Sequence, residues 1–219
     1  MKTSTNGQDI KIPNIKELMD DGEPVCVTFI DSKTGNQISE NTQFLFCEMV
    51  QKARYGETFN VEKDRCPVGN YVLGINDKKP FEYYLKSGRY KDRDAAYNAS
   101  VLLPRIKKIY NYIRIEPLSR NKKQFDVLIL FLKPASAMRI IQAFSYQEGK
   151  QVNINTLGAA SVCGDCTAVP ISDGIGVSFG CKGSRKHSNY RNTEVPLGIG
   201  FEMIERIEKG LVNTPKTRN

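Results

Sequence analysis

The sequence predicts an α/β or α+β protein, a mixed β-sheet with flanking helices, built as a single domain over 1–219. Three observations carry that expectation. The runs "VCVTFI" and "VLILFL" are apolar, β-branched or aromatic, and read as strands. Each is followed by a segment with helical apolar spacing, "FLFCEMVQKAR" and "SAMRIIQAFSY". The chain has 219 residues, 40% hydrophobic and 26% charged, which suffices for one core and is short for two ordinary domains. No linker-like stretch interrupts it.

Taken in order, "NIKELMDD" predicts a short helix capped by Asn14 and stopped by Gly22. "PVCVTFID" is a strand entered after a proline. "NTQFLFCEMVQKARYGETFNV" sets Phe44, Cys47, Met49, Val50 and Ala53 on one helical face, with Gly56 at its end. "GETFNVE" returns as a strand, and "CPVGNYVLGIN" reads as a glycine-punctuated loop feeding another. "DRDAAYNASVLLPRIKKIYNYI" opens as a helix that Pro104 ends or kinks. "RIEPLS" reads as a turn-rich connector. "FDVLILFLK" is the strongest strand, and its unbroken apolar run implies burial on both faces. "PASAMRIIQAFSYQEG" is the clearest amphipathic helix, from Pro134 to Gly149. "KQVNIN" reads as a short strand, "GFEMIERIEKGL" as a closing helix, and "VNTPKTRN" as a frayed end. The order strand, helix, short strand, cysteine with glycine occurs at about 22–80 and again at about 124–185. Two duplicated strand-helix-strand halves are the conjecture that follows.

Charge narrows the partners. The net charge is +8. Much of the excess lies in "RIKKIYNYIRIEPLSRNKK" and "KGSRKHSNYR". Solvated faces account for most such runs, and a small anion or an acidic protein accounts for the rest. Tyr110, Tyr112 and Tyr190 interleave with the basic residues, as a nucleic-acid module would have them, but no nucleic-acid fold motif accompanies them and such a partner ranks low. No apolar run is long enough to span a bilayer, and "MKTSTNGQDIKIPNI" has no apolar signal-peptide centre, so the expected location is the cytoplasm. No heptad or long apolar face argues for an oligomer.

In that compartment the six cysteines are expected as thiols, metal ligands or catalytic groups, not disulfides. Metal-bound thiolates must converge from tight turns, and glycine lets the backbone approach closely. Cys66 has Gly69 three positions on, Cys163 and Cys166 form a C-x-x-C through Gly164, and Cys181 lies between Gly180 and Gly183. A single C-x-x-C is neither a zinc-ribbon nor a ferredoxin spacing. Cys26 reads as a buried strand thiol. Cys47 reads as a core thiol or an inward ligand, and Cys166 as a ligand or merely small. His187 stands alone on a polar stretch and reads as solvated. Asp165 reads as a weak ligand or, equally, a turn residue. "GIGVSFG" lacks the ending of a phosphate loop, while "PLGIGFEMIERI" runs glycine into a helix that would suit an anion.

Five stretches, "PVCVTF", "FCEMVQKARYGETFNVEKDRCPVGNYVLG", "FDVLILFLKPASAMRIIQAF", "SVCGDCTAVP" and "VSFGCKGSR", resemble the uncharacterised ArCR family of archaeal and bacterial proteins over nearly the whole chain. The resemblance implies that Cys47, Cys66, Cys163 and Cys181 are the family's cysteine positions, together with Arg54, Gly56, Glu57, Gly183 and Arg185. Cys26 and Cys166 fall outside its pattern. Four cysteines, two from each half, is the number a 4Fe-4S cluster needs. The expectation is an iron–sulfur protein serving electron transfer, or redox chemistry on a small anionic ligand held by Arg54 and Arg185. An acidic electron-transfer protein such as a ferredoxin would supply the electrons. The rival expectations are a structural zinc, a metal-free thiol enzyme and, last, a basic nucleic-acid-binding module.

Overall fold

The computed structural model describes residues 10–31, 43–62 and 64–215. The first nine residues and the last four of the expected frayed end lie outside them, as do Asn41 and Thr42 of the expected second helix.

The chain begins with α1 (Pro13–Glu17) and β1 (Val25–Ile30), then α2 (Phe46–Ala53) and β2 (Phe59–Val61). Three short helices follow, α3 (Pro67–Val72), α4 (Phe81–Lys86) and α5 (Arg93–Val101), before β3 (Tyr112–Pro117). The second part starts with β4 (Val127–Leu132) and the long α6 (Pro134–Glu148). A π-helix (Ser161–Ala168) runs directly into α7 (Val169–Asp173). Then come β5 (Ile175–Val177), α8 (Lys182–His187), β6 (Val195–Gly200) and α9 (Ile204–Asn213).

The six strands form one sheet in the order β2-β3-β1-β4-β6-β5. The expected class holds, helices packed on a β-sheet, and all five ladders are antiparallel where a mixed sheet was expected. β1 and β4 meet at the centre, with Cys26 opposite Leu128. On either side the neighbour is a late strand and the edge is a three-residue strand. β4 is buried along its whole length, as its continuous apolar run requires.

Alternation along these strands divides the core in two. Val127, Ile129 and Phe131 face the side covered by α2, α3 and α5. Leu128, Leu130 and Leu132 face the side covered by α1, α6 and α9. The π-helix lies on the first side, directly over β5 and β6. A β-carbon at Gly198 would stand 2.0 Å from the Cys166 carbonyl oxygen, and one at Gly176 would stand 1.9 Å from that of Asp165. Bare backbone at these two strand positions lets helix backbone rest on sheet backbone.

Several local expectations change. α1 is not capped by Asn14, which follows Pro13 inside the helix. Glu208 of α9 caps it instead, accepting from the Asn14 N–H at 2.6 Å and the Ile15 N–H at 3.0 Å. "CPVGNYV" is a helix and not a loop, because Pro67 supplies a helical φ at its first position. "RIEPLS" is largely strand: β3 is paired on both sides, and its buried Glu116 is satisfied by Arg114 at 2.8 Å and Asn121 at 3.0 Å. "KQVNIN" has no regular structure. The short strand after the second helix is β5, and "PLGIG" belongs to β6 rather than to a helix start. Other expectations stand. Val101 ends α5 before Pro104, and Gly149 closes α6 in the left-handed region at φ 61°.

Candidate metal centre

Cys47, Cys66, Cys163 and Cys181 line one cavity of about 340 Å³. They arrive there from four separate segments, and each is set by a different local device.

Cys47 is the second residue of α2. The helix start is fixed by Glu48, whose carboxylate accepts the Leu45 N–H at 2.6 Å. Asp64 ties that start to the next cysteine: one carboxylate oxygen accepts both the Phe46 N–H at 3.1 Å and the Cys66 N–H at 2.9 Å. Asn70 completes the clamp. Its Oδ1 accepts the Asp64 N–H at 2.8 Å, and its Nδ2 donates to the Asp64 and Cys66 carbonyls. Gly69 is the space this arrangement needs, since a β-carbon there would fall 1.7 Å from the Asp64 carboxylate.

Cys163 sits in the first turn of the π-helix, entered through Ala160 at φ 53°. A left-handed alanine is a strained position of the kind found at functional sites, and π-turns often mark them too. Thr167 Oγ1 donates to the Val162 carbonyl at 2.7 Å within the turn. Asp165 is not turned to the cavity. It accepts from Thr156 Oγ1 at 3.0 Å and Ser178 Oγ at 2.6 Å, tying the π-helix to β5. Cys166 is fully buried against the sheet and is absent from the cavity wall. Cys26 is fully buried in β1, on the opposite face of the sheet.

Cys181 is the N-cap of α8. Its Sγ accepts the Ser184 N–H at 3.3 Å, while Ser184 Oγ accepts the Cys181 N–H at 2.9 Å. Arg185 holds the loop before it, donating to the carbonyls of Phe179, Arg191 and Glu194 and stacking on Tyr190. Arg54 is almost fully buried and makes a two-pronged pair with the Glu194 carboxylate at 3.2 and 2.7 Å, plus bonds to the Asp21 carbonyl. Both arginines expected to hold an anion are thus bound to protein groups around Glu194, and neither lines the cavity.

His187, expected as solvated, is exposed and stands on the cavity wall. Arg89, Asp64 and Ser161, which sequence reasoning passed over, are on it too. Ser161 Oγ is buried without a hydrogen-bond partner. Ser188 Oγ is also buried without a well-aligned partner, and lies against the Cys47 thiol. Tyr84 OH and Tyr90 OH are further buried hydroxyls without a partner on this side of the molecule. "DRC", with its acid two residues before a cysteine, was the available signal for Asp64. Nothing in the sequence marked the serines.

Burial raises the thiols of Cys66 and Cys163, and pushes Cys47 up to about 12 against the lowering effect of the Ser188 hydroxyl. Burial pushes Asp64 up to about 7, opposed by the backbone N–H groups it accepts. A nucleophilic cysteine needs the reverse, a lowered thiol. Among the described residues, no three His, Cys, Asp or Glu side chains stand grouped to hold a single metal ion. The tyrosines of the nucleic-acid reading are packed inward: Tyr112 and Tyr190 are buried, and Tyr110 lies on Phe29. Among the described residues no helix is long and apolar enough to cross a membrane.

Comparison with known proteins agrees with the cysteine pattern's resemblance. An uncharacterized protein of Methanocaldococcus jannaschii is 28% identical over 216 residues, covering 90% of this chain and 92% of its own. No solved structure matches. The family model described as uncharacterised ArCR matches residues 15–210, from the first helix into the last, and the chain belongs to that family.

Proposed function

We propose that Cys47, Cys66, Cys163 and Cys181 ligate an iron–sulfur cluster, and that the protein uses it in electron transfer or in redox chemistry on a small anion. The observation that carries this reading is the convergence of four free cysteines from four segments on one cavity, with the other two cysteines excluded from it.

Four thiolates on one cavity are the number a 4Fe-4S cluster takes and also the number a tetrahedral zinc takes, so iron and zinc analysis decides between them. The unpartnered Ser161 hydroxyl in the wall, and that of Ser188 beside Cys47, suit a cluster, because hydrogen bonds to cluster and cysteine sulfur tune reduction potential. When bound, the cluster supplies one-electron chemistry. The protein's own part is to hold four thiolates on rigid segments, direct hydroxyl donors at sulfur, and screen the site from bulk water.

One electron would come from a reduced acidic carrier of the ferredoxin type, which is oxidised as it gives the electron up. A chain of charge +8 would attract such a carrier through long-range steering. The rate of reduction by ferredoxin should then fall as salt rises. A rate indifferent to salt would remove this partner from the scheme.

Anaerobic purification with iron, zinc and acid-labile sulfide analysis tests the centre itself. The expected result is a brown protein with iron and sulfide in equal amounts. One equivalent of zinc without iron would replace the cluster with a structural ion. A colourless protein that takes up neither metal on anaerobic reconstitution would end both readings.

A further inference from the structure

The cysteine cavity opens beside a larger groove of about 830 Å³. The two share Asp64, Arg65, Pro67 and Tyr83 in their walls. Into the groove project Arg65, Lys78, Lys79 and Lys86, all exposed. Against them the lining sets only the exposed Glu82 and the buried Asp64. The charge is unspent. Lys52, Lys91, Lys108 and Lys133 each pair with a carboxylate, whereas Lys78, Lys79 and Lys86 form no ion pair among the described residues. The Arg65 guanidinium donates to the Gln43 carbonyl at 3.1 Å and forms no ion pair among the described residues.

The frame around these cations is rigid. Pro67 opens α3 and Pro80 precedes α4, so the backbone at both walls has restricted φ. The Asp64–Asn70 clamp fixes the wall that the groove shares with Cys66. A preformed concave site of this size takes a small molecule, and convergent cations on a stiff frame select one with several negative charges.

We infer that this groove binds a small, multiply charged anion bearing phosphate or carboxylate groups, and seats it beside the cysteine cavity. Arg65 provides the planar fork for one oxyanion, and the three lysines provide point charges for the rest. Binding itself stands independently of the metal centre. That the anion is the centre's redox partner rests on the cluster reading.

Isothermal titration of the full chain with inorganic pyrophosphate and with citrate, at low salt, tests the inference. The measurement is made on metal-stripped and on anaerobically reconstituted protein, with iron and sulfide assayed in the same samples. At least one anion should bind with 1:1 stoichiometry. The triple variant Lys78→Gln/Lys79→Gln/Lys86→Gln should lose tenfold or more in affinity with an unchanged melting temperature, since all three side chains are exposed. The pair Lys122→Gln/Lys123→Gln, in the basic run at 105–123 and outside the groove lining, should bind as the parent does. Failure of both anions to bind, equal binding by the triple variant, or an equal loss in the control pair would overturn the inference. So would docking of an acidic ferredoxin that the triple variant abolishes, if neither small anion binds: the groove would then be a protein-docking face. Anion binding by a protein that never takes up iron would leave this site standing and remove the cluster. Iron loading without anion binding would do the reverse.

Discussion

At the scale of single residues, the partition of the cysteines makes the sharpest prediction. Cys47→Ser, Cys66→Ser, Cys163→Ser and Cys181→Ser should each lower bound iron and stability together, because metal binding energy is folding energy. Cys166→Ser and Cys26→Ser should keep full iron content, and each should lose about 1–3 kcal/mol for a hydroxyl in an apolar site. Iron retained by Cys47→Ser but lost by Cys166→Ser would reverse the ligand assignment. Asp64 offers a second test. Asp64→Ala leaves the Phe46 and Cys66 N–H groups without their acceptor, at about 1–3 kcal/mol in chemical denaturation. Asp64→Asn keeps one acceptor oxygen and should fall in between. The cysteines themselves were legible because thiols beside glycine are hard to explain by packing. The residues alone left both Cys47 and Cys166 open, and the family resemblance put Cys47 in the set, since a C-x-x-C looks like a ligand pair until the turn that carries it is known. The π-helix turns the second thiol of that pair away from the first and onto the sheet, and spacing along the chain does not report it.

At the scale of elements, the seat of the π-helix on β5 and β6 governs where Cys163 stands. Gly198→Ala would put a β-carbon 2.0 Å from the Cys166 carbonyl, which only a backbone shift relieves. The expected result is a loss of at least about 1–3 kcal/mol in thermal or denaturant unfolding, with weakened iron binding. Gly183→Ala is the counterpart. Its β-carbon would meet Cys181 Sγ at an ordinary 3.8 Å, inside α8, where alanine is the better helix former by about 0.5–1 kcal/mol. Stability should hold or rise, so a fall in iron content there would report crowding of the cavity alone. The same glycines explain why β6 was not legible. "VPLGIG" carries one proline and two glycines, a composition that argues against a strand, yet the glycines are what the covering helix requires. β3 was missed for a related reason, since Arg114 and Glu116 look like solvent residues until their pairing is seen. β1, β4 and α6 were legible because burial on two faces, or on one helical stripe, writes itself directly into residue order.

At the scale of the whole molecule, one buried ion pair joins the two parts of the chain. Arg54 follows α2, and Glu194 precedes β6. Burial alone would raise the Glu194 carboxyl, but the Arg54 hydrogen bonds and the Arg191 N–H outweigh it and hold it below the usual glutamate range. A carboxyl lowered on folding stabilises fully above its unfolded value of about 4.3, and that contribution is lost as pH falls through the folded value. Stability should therefore decline below about pH 4.3, and Glu194→Gln should flatten that part of the profile in denaturant titrations. Arg54→Ala should lose about 3–5 kcal/mol near neutral pH, because Glu194 is then left buried and unpaired. α1 is tied down in the same long-range way, through Glu208 of the last helix.

The scatter of the four cysteines along the chain has a consequence for how the protein is made. Cys47 and Cys66 leave the ribosome well before Cys163 and Cys181, and the sheet places β3 and β4 between the two pairs. Half of the proposed site is then present for much of translation, and its thiols have no partners across the cavity. On the cluster reading, loading would wait until the later segments have docked, and the centre would be completed only on a chain that has already brought the four cysteines together.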